Sequence, residues 1–147
     1  MTTFFVGSDH GGVMLKGRIT EWLRELGHGV EDVGTFSTDS VDYPEIATAV
    51  ADRVVAETGA RGVLVCGTGI GMSMAANKVR GIRAALATDP FMARMAREHN
   101  DANLLCLGER VVGIGLAREI LGAFLEARFE AGRHERRVGK IMAVEER

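Results

Sequence analysis

Gly62-Val63-Leu64-Val65-Cys66-Gly67-Thr68-Gly69-Ile70-Gly71-Met72-Ser73-Met74-Ala75-Ala76-Asn77-Lys78 is the stretch from which the rest of the chain is read. It opens with β-branched and aliphatic residues, closes with helix formers, and puts glycines at the junction. That pattern predicts a buried strand feeding a tight turn into a helix. Such a turn leaves backbone N–H groups without partners at the helix start, where the helix dipole also favours negative charge. Cys66 takes the last strand position beside this loop, and a thiol at a helix N-terminus ionises more readily than a free one. Three uses fit the segment: a plain turn, a phosphate cradle, or a reaction centre with a base beside an anion hole.

The sequence weakens the second use. A dinucleotide fingerprint reads G-x-G-x-x-G and belongs to the first βαβ unit. Here the glycines fall at 67, 69 and 71, on the third predicted strand, although Asp89 stands at the distance an acidic ribose ligand would. A C-x5-R phosphatase loop requires arginine at 72, where Met72 stands. A non-enzymatic nucleotide-binding module remains the rival from another class.

Toward the N-terminus, Thr3 to Asp9 predicts a first strand that ends in the corner Gly7-Ser8-Asp9-His10-Gly11-Gly12. Leu15, Ile19, Trp22, Leu23 and Leu26 then mark one face of a helix, stopped by Gly27 and Gly29. Residues 29–33 predict a second strand and 34–43 a polar loop. Pro44 opens a helix whose inward stripe is Ile46, Ala47, Val50, Ala51 and Val54. Toward the C-terminus, Ile82 to Ala87 predicts a fourth strand, and Thr88-Asp89-Pro90 opens a helix carrying Met92, Met95, Ala96 and His99 along one side. Asn103 to Leu107 predicts a fifth strand. A helix over 113–129 follows, with Ala117, Ile120, Leu121, Phe124 and Leu125 inward, and a charged helical tail over 133–147.

Five strands alternating with helices predict a three-layer α/β/α domain over 1–147, with a five-stranded parallel sheet covered on both faces. Ligands of such sheets bind outside the carboxyl ends of the strands. This rule gathers Asp9-His10, Cys66 with its glycines, and Arg110 at one rim. His99 precedes the fifth strand, so the rule does not bring it there.

Composition excludes several classes. Eighteen basic residues against 20 acidic ones give a net charge of −2, which does not suit a nucleic-acid-binding polyelectrolyte. Two distant cysteines without C-x-x-C point to a reducing compartment. Residues 1–9 do not read as a signal peptide, and no apolar run has the length of a membrane span. A cytoplasmic location is expected.

Each candidate side chain has a plain alternative. Cys106 lies inside an apolar run, as a small hydrophobe does, whereas Cys66 abuts the loop. Asp9 suits a helix cap as well as catalysis. His99 suits a hydrogen-bonded core position as well as a site. Arg133 and Arg137, four apart, project from one side of a helix; they form either a solvated face or, with Arg110, a phosphate clamp. No set of residues has zinc-ligand spacing, so no metal is expected.

Taken together, Asp9-His10, Cys66-Gly67-Thr68-Gly69-Ile70-Gly71, Ala76-Asn77-Lys78, His99-Asn100-Asp101, Gly108-x-Arg110-Val111-Val112-Gly113 and Gly132-Arg133-His134 resemble the B-type ribose-5-phosphate isomerases. The likeness extends to the wider family of galactose-6-phosphate and allose-6-phosphate isomerases, in order over nearly the whole chain. The resemblance implies a Rossmann-like fold, a homodimer or dimer of dimers with active sites at the subunit interface, a phosphorylated sugar as substrate, and neither metal nor nucleotide cofactor. It implies Cys66 as proton acceptor and His99 as the acid of ring opening, with Asp9 assisting. Gly67, Thr68, Gly69, Ile70 and Gly71 would hold enediolate oxygens. His10, Arg110, Arg133 and Arg137 would grip the phosphate, while Asn100 and Tyr43 contact the sugar. Sugar length stays open: ribose, allose, galactose and tetrose phosphates would share one proton-transfer apparatus.

Overall fold

Val63, Leu64 and Val65 are wholly buried because both faces of their strand are covered. The computed structural model describes residues 1–147. Strands β1 (Thr3–Ser8), β2 (Gly29–Gly34), β3 (Arg61–Cys66), β4 (Ala84–Leu86) and β5 (Leu104–Gly108) form one all-parallel sheet in the order β2-β1-β3-β5-β4. Helices α1 (Val13–Glu25), α2 (Tyr43–Ala56), α3 (Ile70–Ala76), α4 (Pro90–Glu98), α5 (Ile114–Glu126) and α6 (Arg133–Ala143) complete it. The expected α/β/α layering is therefore present.

Strand alternation sorts the core into two layers. Phe4, Val6, Val63, Val65, Leu105 and Leu107 pack with Ile19 and Leu23 of α1, Ala93 and Ala96 of α4, and Ile120 and Phe124 of α5. Phe5, Leu64, Cys66, Leu104 and Cys106 pack on the other face with Val50 and Val54 of α2 and Met72 and Ala76 of α3. Both cysteines thus face the same layer.

Three expectations need correction. The fourth strand pairs only over Ala84–Leu86, against Leu104–Cys106. It is an edge strand, and side chains replace a neighbouring ladder at its start: Ala84 N–H donates to Asn77 Oδ1 at 2.8 Å, and Asn77 Nδ2 donates to Ala84 O at 2.9 Å. Leu26 lies past the last turn of α1 and is 62% exposed, because the chain leaves the helix at Gly27 with φ +86°. On α4 the buried side is Ala93, Ala96 and Arg97 rather than the Met92–Met95 stripe. Small residues let that helix approach its layer closely and leave Met92 outside.

Candidate active site

At the carboxyl rim, Cys66 ends β3 opposite Gly108. Its residue is 5% exposed, against none for Cys106. The Gly69 N–H donates to the Cys66 Sγ at 3.1 Å, so the loop closes over the sulfur. This needs glycine: φ at Gly69 is +82°, and a β-carbon there would stand 2.6 Å from Leu86 Cδ1 and 2.9 Å from the Leu107 carbonyl carbon. Of the amides expected for substrate oxygens, Gly69 N–H is thus directed at sulfur, and Ile70 N–H donates to Thr68 Oγ1 at 3.2 Å. Burial holds the Cys106 thiol well above the ordinary thiol range, with Cys66 nearby adding to the effect. Cys106 is the structural cysteine of the two.

Four further side chains stand around the loop. Asp9 Oδ1 accepts from Gly11 N at 2.9 Å and caps the short turn after β1. The same corner faces the loop, since a β-carbon on Gly11 would lie 3.5 Å from Gly67 N. His10 Nδ1 accepts from Val41 N at 3.2 Å, which leaves the neutral ring's proton on Nε2 and makes that atom a donor. Tyr43, at the start of α2, stands over Gly71; a β-carbon there would be 2.9 Å from its hydroxyl. Arg110 follows β5, its N–H donating to Gly67 O at 3.0 Å and its Nη1 3.3 Å from a β-carbon at Gly67. Sequence reasoning missed Glu109, whose N–H donates to Cys66 O at 2.9 Å while its Oε1 accepts from Leu15 N at 2.7 Å. That side chain ties the turn after β5 to the first turn of α1.

The remaining candidates gather elsewhere. Helix α4 begins at the carboxyl side, after β4, and returns to the amino side, before β5. His99 and Asn100 therefore sit near the level of Gly62 and Leu104, which pair at the opposite end of the strands from Cys66 and Gly108. Four residues of strand separate the two levels, about 13 Å at roughly 3.3 Å per residue. Within one chain the structure brings Asp9, His10, Tyr43, Cys66, Gly67 to Gly71 and Arg110 together, and it keeps His99, Asn100, Arg133 and Arg137 apart from them. Arg133 and Arg137 are exposed on α6, whose first turn stacks His134 on His99 at that opposite end, so they form no clamp with Arg110 of the same chain.

The turn after α4 is held from beneath. Arg83 Nη2 donates to Asp101 O at 2.7 Å and Arg83 Nε to Asn100 O at 3.1 Å. Arg97 Nη1 donates to Ala102 O at 2.6 Å and to Asp101 Oδ1 at 3.0 Å. These bonds satisfy carbonyls left open where the helix stops, and they hold Asp101 at φ +47°. The His99 and His134 rings stack at 4.0 Å between centroids, with Glu130 Oε2 3.9 Å from His99 Nε2 and 3.6 Å from His134 Nε2. Sequence reasoning named His134 only as part of the Gly132-Arg133-His134 motif, gave it no role, and missed Glu130, although the two stand four apart. Ligand atoms of these three residues lie within 4.8 Å of one another, the spacing of a metal site. Their geometry does not suit one, because rings only 11° from parallel cannot both aim an in-plane lone pair at a common ion. A groove of ≈ 540 Å³ runs between the edge strand and the end of α6 and does not include Cys66.

The ribose/galactose isomerase family matches residues 4–141, a span that contains the whole of this two-part constellation. The chain belongs to the ribose/galactose isomerase family. Among its relatives, ribose-5-phosphate isomerase B of Escherichia coli is 48% identical over 141 residues, covering 96% of this chain and 95% of that protein. The ribose-5-phosphate isomerase B of Clostridium thermocellum superposes with a TM-score of 0.97 at 52% identity, over 99% of this chain and 98% of that one. The Mycoplasma genitalium ribose-5-phosphate isomerase B, solved with bound ribulose 5-phosphate, gives 0.95 at 43% identity, over 99% and 97% of the two chains. Family membership and the fold expected from the motifs are thereby borne out. No helix of this ribose/galactose isomerase family member is long and apolar enough to cross a membrane.

Proposed function

We propose that the chain interconverts ribose 5-phosphate and ribulose 5-phosphate, a step of the pentose phosphate pathway, and acts as a cytoplasmic homodimer or dimer of dimers. The observation that carries this reading is the Cys66 sulfur under the Gly69 amide, in a loop whose glycines keep side chains out of the way. Aldose–ketose interconversion moves a proton between adjacent carbons through an enediolate. Cys66 takes the proton from C2 and returns it to C1, while main-chain donors between Gly67 and Gly71 stabilise the oxygen that gains charge. Each such donor contributes a few kcal/mol when preorganised. Substrate displaces the Gly69 N–H from sulfur and presents an oxygen in its place.

His99 protonates the ring oxygen to open the furanose, with Asp9 receiving the hydroxyl proton. His10 donates from Nε2 to the phosphate beside Arg110. Two observations support a site shared between copies: the candidates divide into two groups at opposite ends of the sheet, and each group alone lacks half the chemistry. A second copy would bring His99, Asn100, Arg133 and Arg137 to the Cys66 rim of the first. The phosphate contacts orient the reacting carbons, so their binding free energy acts on a distant step.

Incubation with ribose 5-phosphate tests the reading, with ketose formation as the readout. Cys66→Ala should lower turnover about 10²- to 10⁴-fold, the range for loss of a general base. Wild-type protein with no turnover on ribose 5-phosphate, or a Cys66→Ala variant with normal turnover, overturns it. The family's name covers hexose substrates as well, so allose, galactose and tetrose phosphates are the competing substrates, and kcat/KM across the four ranks them. A nucleotide-binding module would instead be stabilised by ATP or NAD.

A further inference from the structure

His99 is the one proposed proton donor whose ring has no hydrogen-bond partner of its own in the chain. Its side chain is 36% exposed, and its nearest charged neighbour, Glu130 Oε2, is 3.9 Å away, beyond hydrogen-bond distance. A half-exposed imidazole of this kind would swing about its side-chain torsions. What it does have is a flat support: the His134 ring lies 4.0 Å away and 11° from parallel, with its own side chain 9% exposed.

The chain takes an unusual path to put that support there. Glu130 N–H donates to Glu98 O at 3.0 Å, pinning the segment to the end of α4. Ala131 then adopts φ +57°, the left-handed region a β-carbon disfavours, and Gly132 follows at +54°. Those two residues turn the chain so that α6 starts with His134 beneath His99. Backbone strain persists only where its surroundings over-determine it, and here the Glu130–Glu98 bond and the His99–His134 stack flank it on either side.

We infer that His134 is a positioning residue for ring opening, its ring acting as a rigid shelf that holds the His99 imidazole in one orientation. It touches no substrate. This rests on the isomerase reading above and deepens it. Burial, then the neighbouring His99, Arg133 and Arg137, keep His134 in its neutral form, with Glu130 opposing them. A neutral ring can stay stacked on His99 whether His99 holds its proton or has delivered it, whereas two cationic rings would separate.

The test compares directions. Ribose 5-phosphate enters as a closed ring, whereas ribulose 5-phosphate is open-chain and needs no ring opening. His134→Ala should lower kcat from ribose 5-phosphate about tenfold, the order expected for a misplaced catalytic group, with KM and the rate from ribulose 5-phosphate within about twofold of wild type. His134→Phe, which keeps a flat ring but no titrating nitrogen, should recover at least half of the lost rate. Equal losses in both directions, or no recovery with phenylalanine, overturn the proposal. A readout independent of turnover is the His99 ring resonance in NMR spectra, which His134→Ala should shift by removing the stacked ring's current. An unmoved resonance also overturns the proposal, and separates its failure from failure of the isomerase reading.

Discussion

The amide of Gly69 donates to the sulfur of Cys66 at 3.1 Å across a three-residue turn that no side chain at position 69 would permit. Strand β3 delivers the sulfur to the rim, and the left-handed step at Gly69 brings the N–H back over it and starts α3. Sulfur, donor and helix start are thus set by one local conformation.

Gly69→Ala tests that dependence. Alanine at φ +82° is strained by about 1–2 kcal/mol. Its β-carbon would also meet the Leu107 carbonyl carbon at 2.9 Å, a backbone atom that cannot rotate aside. The variant should lose more than about 2 kcal/mol of stability in urea unfolding and most of its isomerase activity. Gly113→Ala, where a β-carbon meets nothing within 4 Å, is the matched control and should unfold near the wild-type midpoint.

The two thiols differ in access enough to be told apart by alkylation. Cys66 keeps a small exposed area at the rim, whereas Cys106 has none and its thiol is pushed up by burial. Iodoacetamide should place one adduct on native protein, at Cys66, and two on unfolded protein, as read by intact mass and peptide mapping. Isomerase activity should fall in step with the first adduct. A native adduct at Cys106 would contradict the burial described above.

What the sequence revealed and what it hid divide along a physical line. The Val63–Val65 run, the glycines after Cys66 and the Asp89-Pro90 helix start were legible because each rests on neighbouring residues; Asp89 Oδ1 does cap Met92 N at 2.8 Å. The placement of β5 between β3 and β4 was not, because a crossover that skips a strand leaves no mark in hydrophobic period. The Leu15–Glu109 bond joins residues 94 apart, and the His99–His134 stack joins two helices, so neither has a local signature. The Arg133–Arg137 spacing was read correctly as one helix side. Which end of the molecule that side occupies depends on the turn before it, where Ala131 and Gly132 both take positive φ, and the spacing within the helix carries no sign of that.

Division of the candidates into two groups predicts complementation between inactive proteins. If each site takes Cys66 from one copy and Arg137 from another, Cys66→Ala and Arg137→Ala proteins are each impaired alone. A mixed dimer contains one site with both lesions and one with neither. Random exchange of equal amounts makes half the dimers mixed, so activity should recover to about a quarter of wild type in a twofold-symmetric assembly. Unfolding and refolding the two proteins together, then assaying ketose formation, measures it. No recovery, with dimers confirmed by light scattering, would place Cys66 and Arg137 in the same chain's site.

The His134 environment also makes a stability prediction whose sign can be worked through. Burial, followed by His99, Arg133 and Arg137, lowers its pKa below the ordinary 6.5, and Glu130 opposes the shift without reversing it. In the unfolded chain the ring regains a value near 6.5. Between the folded value and 6.5 the unfolded state therefore binds more protons than the folded one, and stability rises with pH across that window. The stabilising effect of a neutral His134 is complete above 6.5 and is lost as pH falls below it. Wild-type protein should accordingly drop further in melting temperature between pH 7.5 and pH 5.5 than His134→Phe, which has nothing to protonate at that position. If the two proteins lose the same number of degrees across that range, His134 is free to take up a proton in the folded chain and the described burial is wrong.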